Sequence, residues 1–189
     1  LSVFLDSMHN YTYIYGTKPN NSSNTVSGIS FLYKSSNTMD FVNYEEILVN
    51  HLGTVATQPF PRAPLLLAVR WNGEKIYIIN NHLKAYGDDE SVERRQKSSE
   101  LLYDYIADNL SSEKVIMMGD LNDSLTDLEY DNVFNIFLQD ETNYIIADID
   151  IANGHSDFWS YPSYPSHIDH IILSTELSSS FNKSGSTIE

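Results

Sequence analysis

Val115-Ile116-Met117-Met118, running into Gly119-Asp120-Leu121-Asn122-Asp123, is the stretch on which the fold turns. Four apolar residues that break into a glycine-led polar turn read as a buried strand. Asp120 and Asn122 then stand at its carboxyl end, where the sheets of α/β proteins meet their ligands. An acid and an amide there suit metal-assisted phosphate chemistry. The carboxylate can hold a metal or orient a metal-bound water, and the amide can donate to a phosphoryl oxygen as charge develops on it. Five residues alone equally fit a plain strand and turn, so the neighbouring segments carry the decision.

Ile76-Tyr77-Ile78-Ile79-Asn80-Asn81-His82-Leu83 is a second apolar strand with a polar end, and Ser166-His167-Ile168-Asp169-His170-Ile171-Ile172-Leu173 a third with an acid embedded in it. A carboxylate in a buried strand needs a partner. Strand alternation puts His167 and Asp169 on one face and His170 on the other, which argues against the three as a metal cluster. Asn80 shares a face with His82 and can either support it or satisfy nearby backbone. Leu65–Trp71 and Glu74–Asn81 meet at Asn72-Gly73, a strong hairpin signal, and their mostly apolar character predicts strands covered on both faces. Val26–Lys34 reads as an earlier strand after a polar loop at Asn20–Asn24. Ser91–Leu110 has Leu101, Leu102, Tyr105, Ile106 and Leu110 at helical spacing, with Asp88, Asp89 and Glu90 suited to its N-terminus. A second helix is predicted over Thr126–Leu138, burying Leu128, Val133, Phe134, Phe137 and Leu138. Phe158, Trp159, Tyr161 and Tyr164 read as a packed loop, with a sugar- or protein-binding surface as the alternative, and Ser178–Glu189 as a loose tail. This order of elements makes a layered α/β domain, but periodicity does not separate a two-sheet sandwich from a doubly wound sheet.

With 189 residues and 41% hydrophobic content, the chain can bury a core as one domain. The absence of cysteine excludes disulfides, thiolate metal sites and cysteine nucleophiles. No stretch approaches the roughly twenty apolar residues of a membrane span. The formal charge of −15, from 11 basic and 26 acidic residues, argues against avid non-specific duplex binding. A divalent cation could still bring a phosphodiester to an acidic cleft, because the ion dominates the local field.

Asn80-x-His82-Leu83, then Gly119-Asp120-x-Asn122, then His167-Ile168-Asp169-His170-Ile171 resemble, in that order, the motifs of the endonuclease/exonuclease/phosphatase superfamily. That group holds deoxyribonuclease I, abasic-site endonucleases, neutral sphingomyelinases, deadenylases and inositol polyphosphate phosphatases. Gly28-Ile29-Ser30-Phe31-Leu32-Tyr33 and Arg62-Ala63-Pro64-Leu65 are secondary matches, resembling an early core strand and the start of the strand before the histidine. The resemblance runs from about Val26 to Leu173. It implies a four-layer α/β sandwich of two packed, mostly antiparallel sheets flanked by helices, as a single domain over 1–189 that is incomplete at both ends. The family's metal-binding Glu upstream and its Ser-Asp-His segment downstream have no counterpart here, so the sequence reads as an internal piece of a longer protein.

The same resemblance implies a divalent-metal-dependent phosphoesterase, with phosphodiester hydrolysis by activated water as the leading reaction. Phospholipid or inositol-phosphate hydrolysis and a non-catalytic binding module on the same fold are the alternatives. The implied catalytic residues are His82, Asp120, Asn122 and Asp169. Asp120 is the metal-linked base or water-orienting group, Asn122 and His82 stabilise the developing phosphate charge, and Asp169 orients. Asp120 and Asn122 are the implied metal ligands, for Mg2+, with Mn2+ or Ca2+ as alternatives. The expected partner is a phosphoester substrate, either nucleic acid or a phospholipid or inositol phosphate, acted on by a monomer. Arg95 and Gln96 resemble an Arg-Gln element that pairs structurally. The compartment stays open. Gly119-Asp120-x-x-Asp123 also matches one block of the calcineurin-like phosphoesterases, but the other blocks are missing.

Overall fold

The computed structural model describes residues 11–17, 28–34, 38–52, 58–161 and 163–182. Its strands are β1 (Tyr11–Tyr15), β2 (Ser30–Lys34), β3 (Met39–Glu46), β4 (Leu65–Trp71), β5 (Glu74–His82), β6 (Lys114–Asp120), β7 (Tyr144–Ile146) and β8 (Asp169–Ser174). One long helix, α1 (Asp89–Asn109), lies between β5 and β6. β1 and β2 form a two-stranded antiparallel sheet, and the rest form a six-stranded sheet in the order β3-β4-β5-β6-β8-β7. Only the β5–β6 pair is parallel, because α1 carries the chain back over the sheet between them. This is the expected α/β sandwich of two mostly antiparallel sheets with helices.

Leu65 to Val69 are buried without interruption, which a strand achieves only when both its faces are covered. Leu65, Leu67 and Val69 join Ile76 and Ile78 of β5 against Ile14, Ile29, Phe31 and Tyr33 of the small sheet. Leu66, Ile79, Val115, Met117 and Ile172 project the other way, into a core shared with Leu102 and Ile106 of α1 and with Phe134, Phe137 and Tyr144. Asn72 and Gly73, both at positive φ, close the β4–β5 hairpin as their sequence predicts. α1 starts where Asp88 accepts from the Ser91 backbone N–H at 3.0 Å, with Asp89 and Glu90 in its first turn. The outer face of the small sheet carries Tyr11, Tyr13, Tyr15 and Leu32, each close to half exposed.

Three expectations give way. Thr126–Leu138 is not one helix: turns occupy most of it, and only Asn135–Leu138 is helical. Asn132 supplies the reason, because its side chain donates to the Leu125 carbonyl and accepts the Phe134 N–H, local bonds that compete with the helical ladder. Leu128, assigned to the buried side, is 63% exposed. In the tail, Ser178–Phe181 forms one helical turn, while 183–189 lie outside the described residues, as do the Asn20–Asn24 loop and the first residues of the Val26–Lys34 strand. Among the described residues, no helix is long and apolar enough to cross a membrane.

Candidate active site

Register builds the site. His82, the last residue of β5, pairs with Asp120, the last of β6, and Asp120 pairs on its other side with Asp169, the first of β8. Three chemically active side chains thus stand in a row across adjacent strands, on the face that also carries Asn80 and Met118. Backbone bonds carry the ladder one residue past the strands, from Leu83 N–H to the Asp120 carbonyl at 2.9 Å and from Leu121 N–H to the Ile168 carbonyl at 2.8 Å. Gly119 makes the turn possible. Its φ is +127°, and a Cβ there would lie 2.1 Å from the Asn81 carbonyl oxygen, so no other residue fits.

His82 Nε2 lies 3.5 Å from Asp120 Oδ2, with both side chains part-exposed. Burial pushes the Asp120 carboxyl above its ordinary value; His82, the Asn122 N–H and Arg62 pull it down, and Asp169 adds to the rise. Burial likewise lowers His82, reinforced by Arg62 and opposed by the two carboxylates. Asn122 sits at φ +53°, its N–H donating to Asp120 Oδ1 at 3.1 Å and its Nδ2 to the Leu83 carbonyl at 3.1 Å. One Nδ2 hydrogen is thereby used, which leaves the second and the amide oxygen as the group's remaining capacity. Asp169 is exposed, and its backbone N–H, like that of Ile168, is held by the Ser160 hydroxyl at 3.1 Å.

Arg62 is the site residue that sequence reading assigned only to a strand start. Its guanidinium is near enough to act electrostatically on both Asp120 and His82. The signal was its position: three residues before Leu65, which pairs with Asn80, it belongs to the same end of the sheet as His82. Asn80 itself turns to the small sheet and donates to the Ser30 carbonyl at 3.1 Å. Arg95 pins the loops together, giving Nε–H to Asp123 Oδ2 at 2.6 Å and Nη1–H to the carbonyls of Lys84 and Tyr86. Gln96 donates to Glu100 on the helix surface.

One correction concerns the third motif and another the aromatic loop before it. His167 does not share a face with Asp169, because β8 begins at Asp169 and alternation does not extend back to residue 167. His167 instead turns behind the sheet, where its Nε2 and the Nδ1 of His170 both reach Asp148 Oδ2, at 2.9 and 2.7 Å. The aromatic loop is not packed: Phe158 is 75% and Tyr164 74% exposed, while Trp159 is anchored through its indole N–H to the Ile151 carbonyl. Ser160 ties that loop to the backbone of Asp169, at the edge of the site.

The family model for the endonuclease/exonuclease/phosphatase family matches residues 2–186. The chain belongs to that family. Among solved structures, this family member resembles a humanised D. rerio TDP2 at 16% identity and a TM-score of 0.63, over 92% of this chain and 64% of that one. It resembles the human Nocturnin catalytic domain with bound sulfate at 22% and 0.63, over 90% and 62%. It also resembles the mannosyl-6-phosphatase Bt3783 of Bacteroides thetaiotaomicron at 16% and 0.57, over 92% and 66%. The chain thus spans just under two thirds of the TDP2 and Nocturnin structures. No curated protein matches it in sequence.

Proposed function

We propose that the protein containing this chain is a divalent-metal-dependent phosphodiesterase that hydrolyses its substrate with an activated water. The observation that carries the reading is the side-by-side register of His82, Asp120 and Asp169, with Asn122 and Arg62 at the same sheet end. Membership of the endonuclease/exonuclease/phosphatase family supports it. The donor set fits a hard cation: the carboxylate of Asp120 and the amide oxygen of Asn122 are oxygen ligands, suited to Mg2+ or Mn2+. When bound, such an ion supplies charge neutralisation and a more acidic water. Asp120 would help hold the ion and orient the attacking water, His82 and the second Asn122 N–H would stabilise charge on the phosphoryl oxygens, and Asp169 would orient its neighbours.

Two features favour a nucleotide-containing substrate over a lipid or inositol phosphate. Phe158, Tyr161 and Tyr164 are exposed rings in the loop that Ser160 ties to Asp169, and aromatic faces stack on bases whatever their identity. One of the structures that this chain resembles, a D. rerio TDP2, is complexed with single-strand DNA product. The charge of −15 weighs against a duplex, so a single strand or a short nucleotide end is the fitting form.

The deciding assay uses the full-length protein and a generic bis-aryl phosphodiester. Turnover should vanish on chelation and return with Mg2+ or Mn2+. The 189-residue chain alone should be inactive or nearly so, since Asp120 and Asn122 supply only part of a coordination shell. Hydrolysis that survives chelation would overturn the metal assignment, and comparable turnover from the chain alone would overturn the need for further ligands.

Arg62 gives a second test. A guanidinium beside the reacting groups suits two-pronged binding of a phosphate. Arg62→Ala should raise KM more than it lowers kcat, and Arg62→Lys should recover only part of the loss, because an ammonium keeps the charge without the fork. An unchanged KM in both variants would remove Arg62 from the substrate site.

A further inference from the structure

Behind the sheet, opposite the active site, lies a polar cluster that the proposed chemistry does not use. Asp148 is 3% exposed, His167 9% and His170 1%. Such burial is costly unless each polar group is paired. Asp148 meets three nitrogens: the Ile171 backbone N–H donates to Oδ1 at 2.8 Å, and His167 Nε2 and His170 Nδ1 lie within hydrogen-bond distance of Oδ2. Burial alone would raise its carboxyl, but these bonds and the His170 charge outweigh it and hold it below the ordinary value. The other ring nitrogen of His170, Nε2, lies 2.9 Å from the backbone carbonyl of Asp123.

Both partners of His170 are therefore acceptors. A neutral imidazole carries one N–H and could satisfy one of them, leaving two lone pairs face to face at the other. The imidazolium satisfies both. A proton shifted onto Asp148 would restore a neutral ring, but the Ile171 N–H on Oδ1 and the two rings on Oδ2 hold that carboxyl below its ordinary value, which favours the carboxylate. A metal in place of the proton is the other way to join these three residues. The 2.9 and 2.7 Å separations of the ring nitrogens from Oδ2 are hydrogen-bond lengths, which a shared proton accounts for without an ion.

We propose that His170 is a buried imidazolium that acts as a positioning residue for the active-site loop. Its Nδ1–H is anchored on Asp148 and its Nε2–H clamps the Asp123 carbonyl from behind. Asp123 follows Asn122, whose left-handed backbone is a conformation that an unrestrained Asn leaves readily. Arg95 holds the Asp123 side chain and His170 its carbonyl, so the loop is fixed from both sides while Asp120 and Asn122 face the substrate. One dipeptide divides the work: Asp169 points to the site, and His170 to the clamp.

The kinetic part rests on the proposed phosphodiesterase activity, while the protonation part does not, so the two fail separately. The full-length protein, chelator-treated and labelled with 15N in its histidine rings, should show at neutral pH one imidazole with protons on both nitrogens, protected from exchange. That signal should disappear in His170→Gln. Absence of a doubly protonated, protected ring in the wild type would overturn the proposal, as would its conversion to a metal-bound ring on adding Zn2+. His170→Gln and Asp148→Asn should lower kcat by roughly a hundredfold, the scale of an ångström-sized misplacement, with KM little changed. If both variants fold and lose only thermal stability at wild-type kcat, His170 is structural and the positioning role falls. If the wild type has no phosphodiesterase activity, the function fails while the ring spectrum still decides the charge.

Discussion

Asp120→Asn in the full-length protein is expected to abolish phosphodiester hydrolysis while leaving the fold intact. Asp120 sits at the end of β6 with part of its side chain in solvent, so its energy of interaction is with ligands more than with the core. The substitution keeps an oxygen able to accept the Asn122 N–H, now 3.1 Å from Oδ1, and the loop conformation should survive. What disappears is the negative charge proposed to bind a cation and the lone pair proposed to take a proton. Losing one preorganised electrostatic group typically lowers kcat on the order of a hundredfold to a thousandfold, and losing the ligand as well should exceed that. Turnover with saturating Mg2+ and a thermal melt check both halves. Wild-type turnover in a purified, folded variant would sink the assignment of Asp120.

His82→Ala is expected to lower kcat by about a hundredfold to ten-thousandfold, the range of general acid–base or charge-stabilising assistance, with substrate affinity largely kept. His82 faces Asp120 across a register pair, and its Nε2 is the atom nearest the carboxylate. An interaction that strengthens only as charge develops shows itself in the rate and not in ground-state binding. A defect confined to KM would make His82 a binding residue, as Arg62 is proposed to be.

The two sheets and the strand-end residues are legible in the sequence because short apolar runs ending in polar residues are local signals. Val115–Met118, Ile76–Ile79 and Leu65–Val69 each announce a covered strand, and the ordered motifs supply the architecture that periodicity leaves open. Cross-strand register is a different kind of information. That His82, Asp120 and Asp169 stand shoulder to shoulder depends on which strands pair and with what offset, and β8 between β6 and β7 is a choice made by the tertiary core. Asp148 was invisible for the same reason. It sits in a polar turn between Ile146 and Ile149, and its importance comes wholly from two histidines about twenty positions later. Asn132 could have warned against the helix over Thr126–Leu138, since an Asn inside an apolar period is a competitor for backbone bonds. The exposure of Phe158 and Tyr164 had no local signal, because an aromatic in a loop looks the same whether it packs or projects.

The place of β8 in the sheet sets an order of assembly. β6 is laid beside β5 by a helix that follows β5 at once, but its other edge waits for β8, which begins only at Asp169. At ordinary ribosomal speed, the interval between the emergence of Asp120 and that of Asp169 is on the order of several seconds. During that time the half-built sheet offers a bare edge over Ile116, Met117 and Met118, and the row of reactive side chains lacks its third member. Pairing of so distant a segment is slow to nucleate, which places it late among folding events. The nascent protein is thus without its complete site until the sheet is closed, and the newborn edge of β6 is where a chaperone, or a neighbouring nascent chain, would find its hold.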